Sequence, residues 1–239
     1  MNLEALYDQL PPERQGLLDE VNFLAGNLRE DLILEQFYLA LEALSARLQQ
    51  LHPQIACPTG CSRCCETHAL PEVLPMEWEL IKAALETLPN EISERLRTAV
   101  RSGNWPLDAE GQLKGRRRDY PNCSCPLLLD GRCSVYPWRP FDCRVTGYAF
   151  SNAGERPLPP PGPPPGQLLP YSCSSEQRRM LTELAQGIRP LEYMFLPQRE
   201  QLWEVLQLIE PGDTGPRLLL AHLQDWATGS TAGQTIPDA

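Results

Sequence analysis

The sequence lacks an excess of positive charge, a membrane-length apolar run and a secretory signal. Its 31 acidic residues outnumber 21 basic ones, which gives a formal net charge of −10. Nucleic acids and anionic membranes attract proteins with a basic surface, so neither is an expected partner. No apolar run approaches the length of a transmembrane helix, and the opening segment MNLEALYDQL has no basic region and no continuous apolar stretch. These absences favour a cytoplasmic protein.

The sequence also lacks the short motifs that identify common enzyme classes. It contains no G-x-S-x-G of serine hydrolases, no H-E-x-x-H of zinc proteases, no Walker A motif and no G-x-G-x-x-G dinucleotide fingerprint. Histidine is scarce, with three residues in 239, and no pair of carboxylates stands out as a general acid and base. Catalytic residues therefore stay unknown, and whether the chain is an enzyme stays open.

Cysteine is abundant instead. In a reducing cytoplasm, nine cysteines are expected to be metal ligands or redox groups rather than disulfides. The odd number and an adjacent pair also fit poorly with a disulfide framework. Cys123 and Cys173 are further candidate ligands, each of which could equally be a small buried apolar residue. The predicted ligands form two groups: Cys57, Cys61, Cys64 and Cys65, then Cys125, Cys133 and Cys143.

The spacing of these cysteines suits a soft metal ion or an iron–sulfur cluster. Short steps such as C-x2-C let one backbone segment wrap the centre, and a distant second group closes it. If a helix begins near Ser62, the side chains of Cys64 and Cys65 point about 100° apart. One of them is then expected to be a ligand, and the other to lie next to the ligands, to bridge, or to serve a neighbouring site. Four thiolates leave a net negative centre, and Arg139 and Arg144 are expected to supply positive charge and hydrogen bonds around it.

Two motifs, in this order, resemble those of the YkgJ-type (CxxCxxCC) zinc- or iron-chelating cysteine-cluster family. The first is CPTGCSRCC at 57–65, and the second is CPLLLDGRCSVYPWRPFDCR at 125–144. The second follows the family order of a cysteine before an apolar run, then Gly-x-Cys, then Tyr-x-x-Arg-Pro-x-x-Cys-Arg. Its positions in this chain are Cys125, Gly131, Cys133, Tyr136, Arg139, Pro140, Cys143 and Arg144.

The resemblance implies a mostly helical domain with a polycysteine site for an iron–sulfur cluster or Zn²⁺. A related arrangement accompanies bacterial flagellin lysine methylases, so a modification enzyme is also conceivable. This chain departs from the family pattern in its first spacing of three residues, in Ser62 where glycine is usual, and in the extra Cys123 and Cys173. The ligand set therefore stays open.

A rival interpretation starts from the first cysteine group. Cys57-x3-Cys61-x2-Cys64 has the spacing of radical SAM enzymes, in which three cysteines hold a [4Fe–4S] cluster. However, Arg63 replaces the aromatic residue that is usual there, and no alternating βα pattern follows to build their barrel. The cysteine-cluster family is the preferred interpretation.

The rest of the sequence predicts a mainly α-helical bundle with an irregular cysteine-rich metal-binding subdomain and at most one short β-hairpin. Apolar residues spaced three and four apart predict a helix over 34–51. A second helix is expected to begin at Pro75, and a third, capped by Asn90, to end at Ser102.

The predicted hairpin lies between two of the candidate ligands. The Asp-Gly step in PLLLDGRCSVY favours a type I′ turn, which would pair Leu128 with Cys133. Pro126 is expected to end the pairing before Cys125, because proline cannot donate to the ladder.

Eight prolines lie between 157 and 170 and predict an extended surface loop. Its P-x-x-P spacings could suit an unknown protein partner of SH3 type, although a stiff connector is the simpler interpretation. The predicted division is an N-terminal helical segment, 1–54; a metal-binding domain, 55–173; C-terminal helices, 174–227, that pack on the N-terminal ones; and a disordered tail, 228–239.

The leading functional hypothesis is an intracellular protein that holds an iron–sulfur cluster, [4Fe–4S], or Zn²⁺ through both cysteine groups, with a redox or cluster-dependent role. Iron–sulfur is preferred because adjacent cysteines and more than four thiols suit a cluster with spare ligands. Zinc sites, in contrast, usually need only four ligands, supplied as two pairs with short regular spacings. The alternatives are a cluster-dependent modification enzyme, methylase-like or radical SAM-like, and a structural zinc module that binds a partner.

Overall fold

The structure is a computed structural model. It describes residues 7–27, 33–51, 61–67, 70–103, 105, 107, 124–146, 149–152, 168–171, 179, 182–183, 186–187, 198–209 and 215–229. The predictions for Cys57, Cys123 and Cys173, for the proline-rich loop before residue 168 and for the tail beyond residue 229 concern positions outside these ranges.

Helices dominate the described residues, so the predicted mainly α architecture is confirmed. None of the described helices combines the length and the apolar character that crossing a membrane requires. The helices are α1 Pro12–Asn27, α2 Leu34–Leu51, α3 Arg63–Thr67, α4 Pro75–Glu86, α5 Asn90–Ser102, α6 Phe141–Val145, α7 Arg199–Ile209 and α8 Leu219–Thr228. The strands are β1 Glu72–Val73, β2 Leu128–Leu129, β3 Arg132–Cys133, β4 Ala149–Asn152, β5 Leu168–Tyr171 and β6 Arg217–Leu218.

The described strands form three antiparallel pairs, and the pair β2–β3 is the predicted hairpin. Leu128 lies opposite Cys133, as the sequence predicts. Asp130 and Gly131 both have positive φ, 49° and 74°, which is the backbone of a type I′ turn. The pairs β1–β6 and β4–β5 were not predicted, because strands of two to four residues leave almost no periodic signal.

The first compact unit comprises Met1–Pro58 and Arg144–Pro211. Helix α2 packs against α1 and α7, and α7 also contacts β4. The apolar stripe predicted over 34–51 is buried, and α7 adds its own apolar face. The buried stripe of α2 consists of Leu34, Phe37, Leu41, Leu44 and Leu48, and the face of α7 consists of Leu202, Val205 and Leu206.

The second compact unit comprises Thr59–Cys143 and Gly212–Ala239. Its core is built from α4, α5, the hairpin and α8. Two arginines of α5 satisfy carbonyl groups at the end of α8: Arg97 donates to Trp226 O at 2.7 Å, and Arg101 donates to Ala227 O at 3.2 Å. The core residues include Val73, Ile81, Leu85, Leu96, Val100, Leu127, Val135, Leu219 and Leu223.

Two sequence predictions need correction. Helix α8 was grouped with C-terminal helices that pack on the N-terminal ones, yet its apolar face is buried in the second unit. An apolar stripe identifies a buried face but not the element that buries it. Asn90 was predicted to cap α5, but the helix already begins at Asn90, and Pro89 is the cap residue with φ −53° and ψ 142°. Proline fixes φ near this value, so the chain enters the helix without a polar cap.

Candidate metal centre

Six of the nine cysteines lie in the described part of the chain, all of them in the second unit. Four separate segments carry them: α3 with the two residues before it, the turn before β2, strand β3, and the short helix α6. Both predicted cysteine groups are therefore represented in one compact unit. The six are Cys61, Cys64, Cys65, Cys125, Cys133 and Cys143.

Helix α3 presents the adjacent pair. It begins at Arg63, next to Ser62: Ser62 O accepts a hydrogen bond from Glu66 N at 3.1 Å, and Ser62 Oγ lies 2.6 Å from Glu66 Oε1. Cys61 is exposed, whereas Cys64 and Cys65 are half-buried with their sulfurs 4.0 Å apart. Two thiolates on one zinc ion at 2.3 Å would be about 3.8 Å apart in tetrahedral geometry.

From the sequence, the adjacent pair was expected to chelate one ion side by side less readily than a C-x2-C pair, but the 4.0 Å between their sulfurs is compatible with a shared ion. The expectation used the 100° between successive helical side chains. Neighbouring Cα atoms, however, are only about 3.8 Å apart, so two short side chains can still bring their sulfurs together.

A backbone hydrogen bond joins the two cysteine groups. Cys125 N donates to Cys65 O at 2.7 Å, which holds the turn before β2 against helix α3. Cys125 O in turn accepts from Leu128 N at 2.9 Å, so Cys125 lies in a turn outside the strand ladder. The prediction that pairing ends before Cys125 is confirmed.

The thiols influence one another's ionisation. The pKa of Cys65 is raised, first by its hydrogen bond with Cys64 and then by burial and by Cys125. Burial, with a contribution from Cys125, raises the pKa of Cys133 to about 11. The pKa of Cys143 is raised well above its ordinary value, chiefly by burial and then by Cys125, Cys133 and Cys64. In the absence of a cation these three thiols are protonated at neutral pH.

The described residues alone do not form a complete set of metal ligands. Within the described ranges, no group of three or more His, Cys, Asp or Glu side chains is arranged to hold a metal ion. The donor type nevertheless fits, since half-buried thiols are the ligands that Zn²⁺ and iron–sulfur clusters use. The 4.0 Å spacing of Cys64 and Cys65 also fits a shared ion.

The two arginines predicted to surround the centre have different contacts. Arg139 lies over the Tyr136 ring at 4.1 Å and donates to Tyr136 O at 3.0 Å. Its charge lowers the pKa of Cys133, although burial outweighs this effect. The buried Arg144 belongs to the first unit, where it pairs with Glu42 at 2.6 Å and lies 3.9 Å from the Tyr38 ring centre. The positive charge of Arg139 therefore favours the thiolate form of Cys133.

The aromatic residues of the second motif differ in their exposure to solvent. Phe141 is fully buried, whereas Tyr136 and Trp138 are 52% and 41% exposed. Of these three aromatic side chains, Phe141 alone is therefore part of the core.

Sequence reasoning missed Glu77. This carboxylate is 1% exposed and accepts two backbone hydrogen bonds, from Leu74 N at 3.0 Å and from Phe141 N at 2.7 Å. A glutamate in the first turn of a helix is a known capping signal. That signal predicts the bond to Leu74 but not the one to Phe141, at the start of the helix that carries Cys143.

A shallow groove of about 490 Å³ opens beside Cys133. Apolar side chains of α4–α5 and the hairpin form one part of its wall, and charged residues of the turn form another. It is lined by Leu88, Ile92, Leu129, Asp130, Arg132, Cys133 and Ser134.

Comparison with known proteins does not extend this picture. No protein-family model matches the chain, and neither a curated protein nor a solved structure matches it significantly.

Proposed function

We propose that the chain is a cytoplasmic metal-binding protein of the YkgJ-type cysteine-cluster family that holds an iron–sulfur cluster, with Zn²⁺ as the alternative. The observation that carries the proposal is the gathering of thiols in the second unit. Four chain segments contribute them, the sulfurs of Cys64 and Cys65 lie 4.0 Å apart, and Cys125 N donates to Cys65 O at 2.7 Å. Family membership rests on the order of the two motifs.

The electrostatics explain why such a group would take up a cation. Several thiolates close together repel one another, and burial further disfavours their ionisation. A bound cation removes both penalties, so metal binding deprotonates the thiols and stabilises the folded unit at once. The ligands would come from Cys64, Cys65, Cys125, Cys133 and Cys143, with the exposed Cys61 as a sixth donor. An iron–sulfur cluster bound there would supply electron transfer.

Metal analysis with a visible absorption spectrum, on protein purified without oxygen, tests the proposal. Iron with acid-labile sulfide and a broad visible band would support the cluster. Colourless protein with stoichiometric zinc would support the alternative and make the thiols structural. Protein that binds neither metal after anaerobic reconstitution would contradict both.

A paired substitution locates the site. We predict that Cys125→Ser lowers the metal content severalfold, because Cys125 adjoins α3 and influences the ionisation of three other thiols. Ser124→Ala is the matched control, since Ser124 is exposed and next in sequence. Equal metal content in Cys125→Ser and Ser124→Ala would contradict the assignment of Cys125.

The groove beside Cys133 is the observation that favours a second function, a cluster-dependent modification enzyme. Its apolar wall and charged turn could admit a small substrate next to a thiol. Calorimetry with S-adenosylmethionine on metal-loaded protein tests this function, and absence of specific binding would count against a methylase-like or radical SAM-like activity.

A further inference from the structure

We infer that Glu77 is a positioning residue for the thiol group: its buried carboxylate holds the start of helix α6, and with it Cys143, against the start of α4. The functional meaning rests on the proposed metal centre, in which Cys143 is a ligand. The contact itself is independent of metal and can be tested in the metal-free chain.

The burial and bonding of Glu77 are unusual for a surface helix. Glutamate is almost never fully buried unless it is paired or hydrogen-bonded, because a buried carboxylate loses its hydration. Here both oxygens accept backbone hydrogen bonds, Oε2 from Leu74 N and Oε1 from Phe141 N. The first bond joins two residues at the start of the same helix, α4. The second joins Glu77 to a helix 64 residues further along the chain.

Helix α6 depends on such anchors. It has five residues, and helices this short are unstable in isolation. Its described contacts include the buried side chains of Phe141 and Val145 and the ion pair of Arg144 with Glu42. At its start, Cys143 N donates to Pro140 O at 2.9 Å, and Phe141 N donates to Glu77 Oε1. A hydrogen bond to a carboxylate is stronger than one between neutral groups, so of the two bonds at the helix start the glutamate bond is expected to contribute more to the position of that start.

Helix α4, which carries Glu77, is itself fixed by its buried side chains. Ile81 and Leu85, one and two turns beyond Glu77, are buried in the core of the second unit. Cys125 and Cys133 pack against the same core. Glu77 therefore holds Cys143 in a fixed position relative to the core on which Cys125 and Cys133 pack. A positioning residue of a ligand set has this role.

Alkylation of the reduced, metal-free full chain tests the contact. In Glu77→Gln, one carboxylate charge is lost and an amide is placed near backbone N–H donors. We expect iodoacetamide to label Cys143 about tenfold faster than in the parent chain, the effect of losing a hydrogen bond to a charged group. The exposed Cys61 serves as the internal standard, and mass spectrometry reports each site. Glu79→Gln, a change at an exposed glutamate of the same helix, should alter nothing.

Two results would overturn the inference. One is an unchanged labelling rate at Cys143, and the other is an equal rise at every buried thiol, which would make Glu77 a residue of general stability. If Glu77→Gln does not fold, Glu77→Asp replaces it, because it keeps the charge and shortens the reach. In Glu77→Asp, the labelling rate must then rise at Cys143 and not at the other thiols.

Titration with Co²⁺ connects the contact to the metal centre. Thiolate-to-cobalt charge transfer reports how many thiolates bind each ion. We expect Glu77→Gln to lower this absorption as much as Cys143→Ser does, and the double variant to lower it no further. Additive losses would overturn the inference. If the parent chain shows no charge-transfer band and also binds neither iron nor zinc after reconstitution, the proposed metal centre fails, while the alkylation result still decides the role of Glu77.

Discussion

The ring of His222 is held by a stacking contact rather than by a full set of hydrogen bonds. It stacks on Trp78 with ring centres 4.8 Å apart and an angle of 17°. Its buried Nε2 has no hydrogen-bond partner in the described part of the protein. Burial, helped by the charge of Arg217, lowers the pKa of His222 to about 4, although Asp225 and the backbone of Val73 oppose the shift.

This pKa predicts a specific loss of stability in mild acid. Between pH 6.5 and about 4 the unfolded chain binds a proton at His222 that the folded chain does not. The contribution of His222 is therefore complete above pH 6.5, falls as the pH is lowered through this window, and stays lost below it. We expect a loss of about 1 kcal/mol in the free energy of unfolding, since solvent screens this half-exposed ring.

Urea unfolding at pH 7.5 and pH 4.5 measures the effect, with His222→Phe as the control. Phenylalanine can keep the stacking on Trp78 but does not titrate. The variant should lose less stability than the parent chain on acidification. Equal losses in both proteins would show that other groups cause the acid sensitivity.

At the scale of the element, the β2–β3 hairpin depends on the backbone of two turn residues. Gly131 has φ 74° with open space around its α-carbon, so an added methyl group meets no neighbour but still has to adopt the left-handed region. We predict that Gly131→Ala lowers the free energy of unfolding by about 1 kcal/mol through backbone strain alone.

Gly16→Ala is the matched control for this prediction. Gly16 lies inside helix α1 and also has open space around it, but it has no positive φ. Alanine is there expected to raise the free energy of unfolding by up to about 1 kcal/mol. Opposite signs for the same chemical change, measured by urea unfolding, would confirm that φ decides the outcome at Gly131, whereas equal signs would contradict it.

Elements with a local signal were predictable from the sequence. The apolar stripe of α2, the proline at the start of α4 and the Asp-Gly turn each determine backbone geometry within a few residues. The pair β1–β6 was not predictable, because each strand has two residues and the paired Glu72 and Leu218 lie far apart in sequence, with Arg144–Pro211 of the first unit between them. The candidate site, too, was predictable only in part. Cysteine spacing identified the thiols, but the bond from Phe141 to Glu77 depends on tertiary structure.

At the scale of the whole molecule, the six described thiols belong to one of two compact units. A bound metal is expected to stabilise only the folded state that assembles its ligands. At a free metal concentration one hundred times the dissociation constant, that stabilisation is about 2.7 kcal/mol. It should therefore act on the second unit first.

Removal of the metal by a chelator should thus lower protection in one unit only. We predict that amide hydrogen exchange in α4, α5 and α8 becomes faster in the metal-free chain, whereas α2 and α7 keep their protection. The internal comparison between units controls for solvent conditions, and Cys125→Ser should show the fast pattern with or without metal. Faster exchange throughout both units would indicate that the chain unfolds as one body. Unchanged exchange in both units would mean that the thiols bind no structurally important ion. A ligand that binds only the folded state stabilises that state, so its removal has to speed exchange.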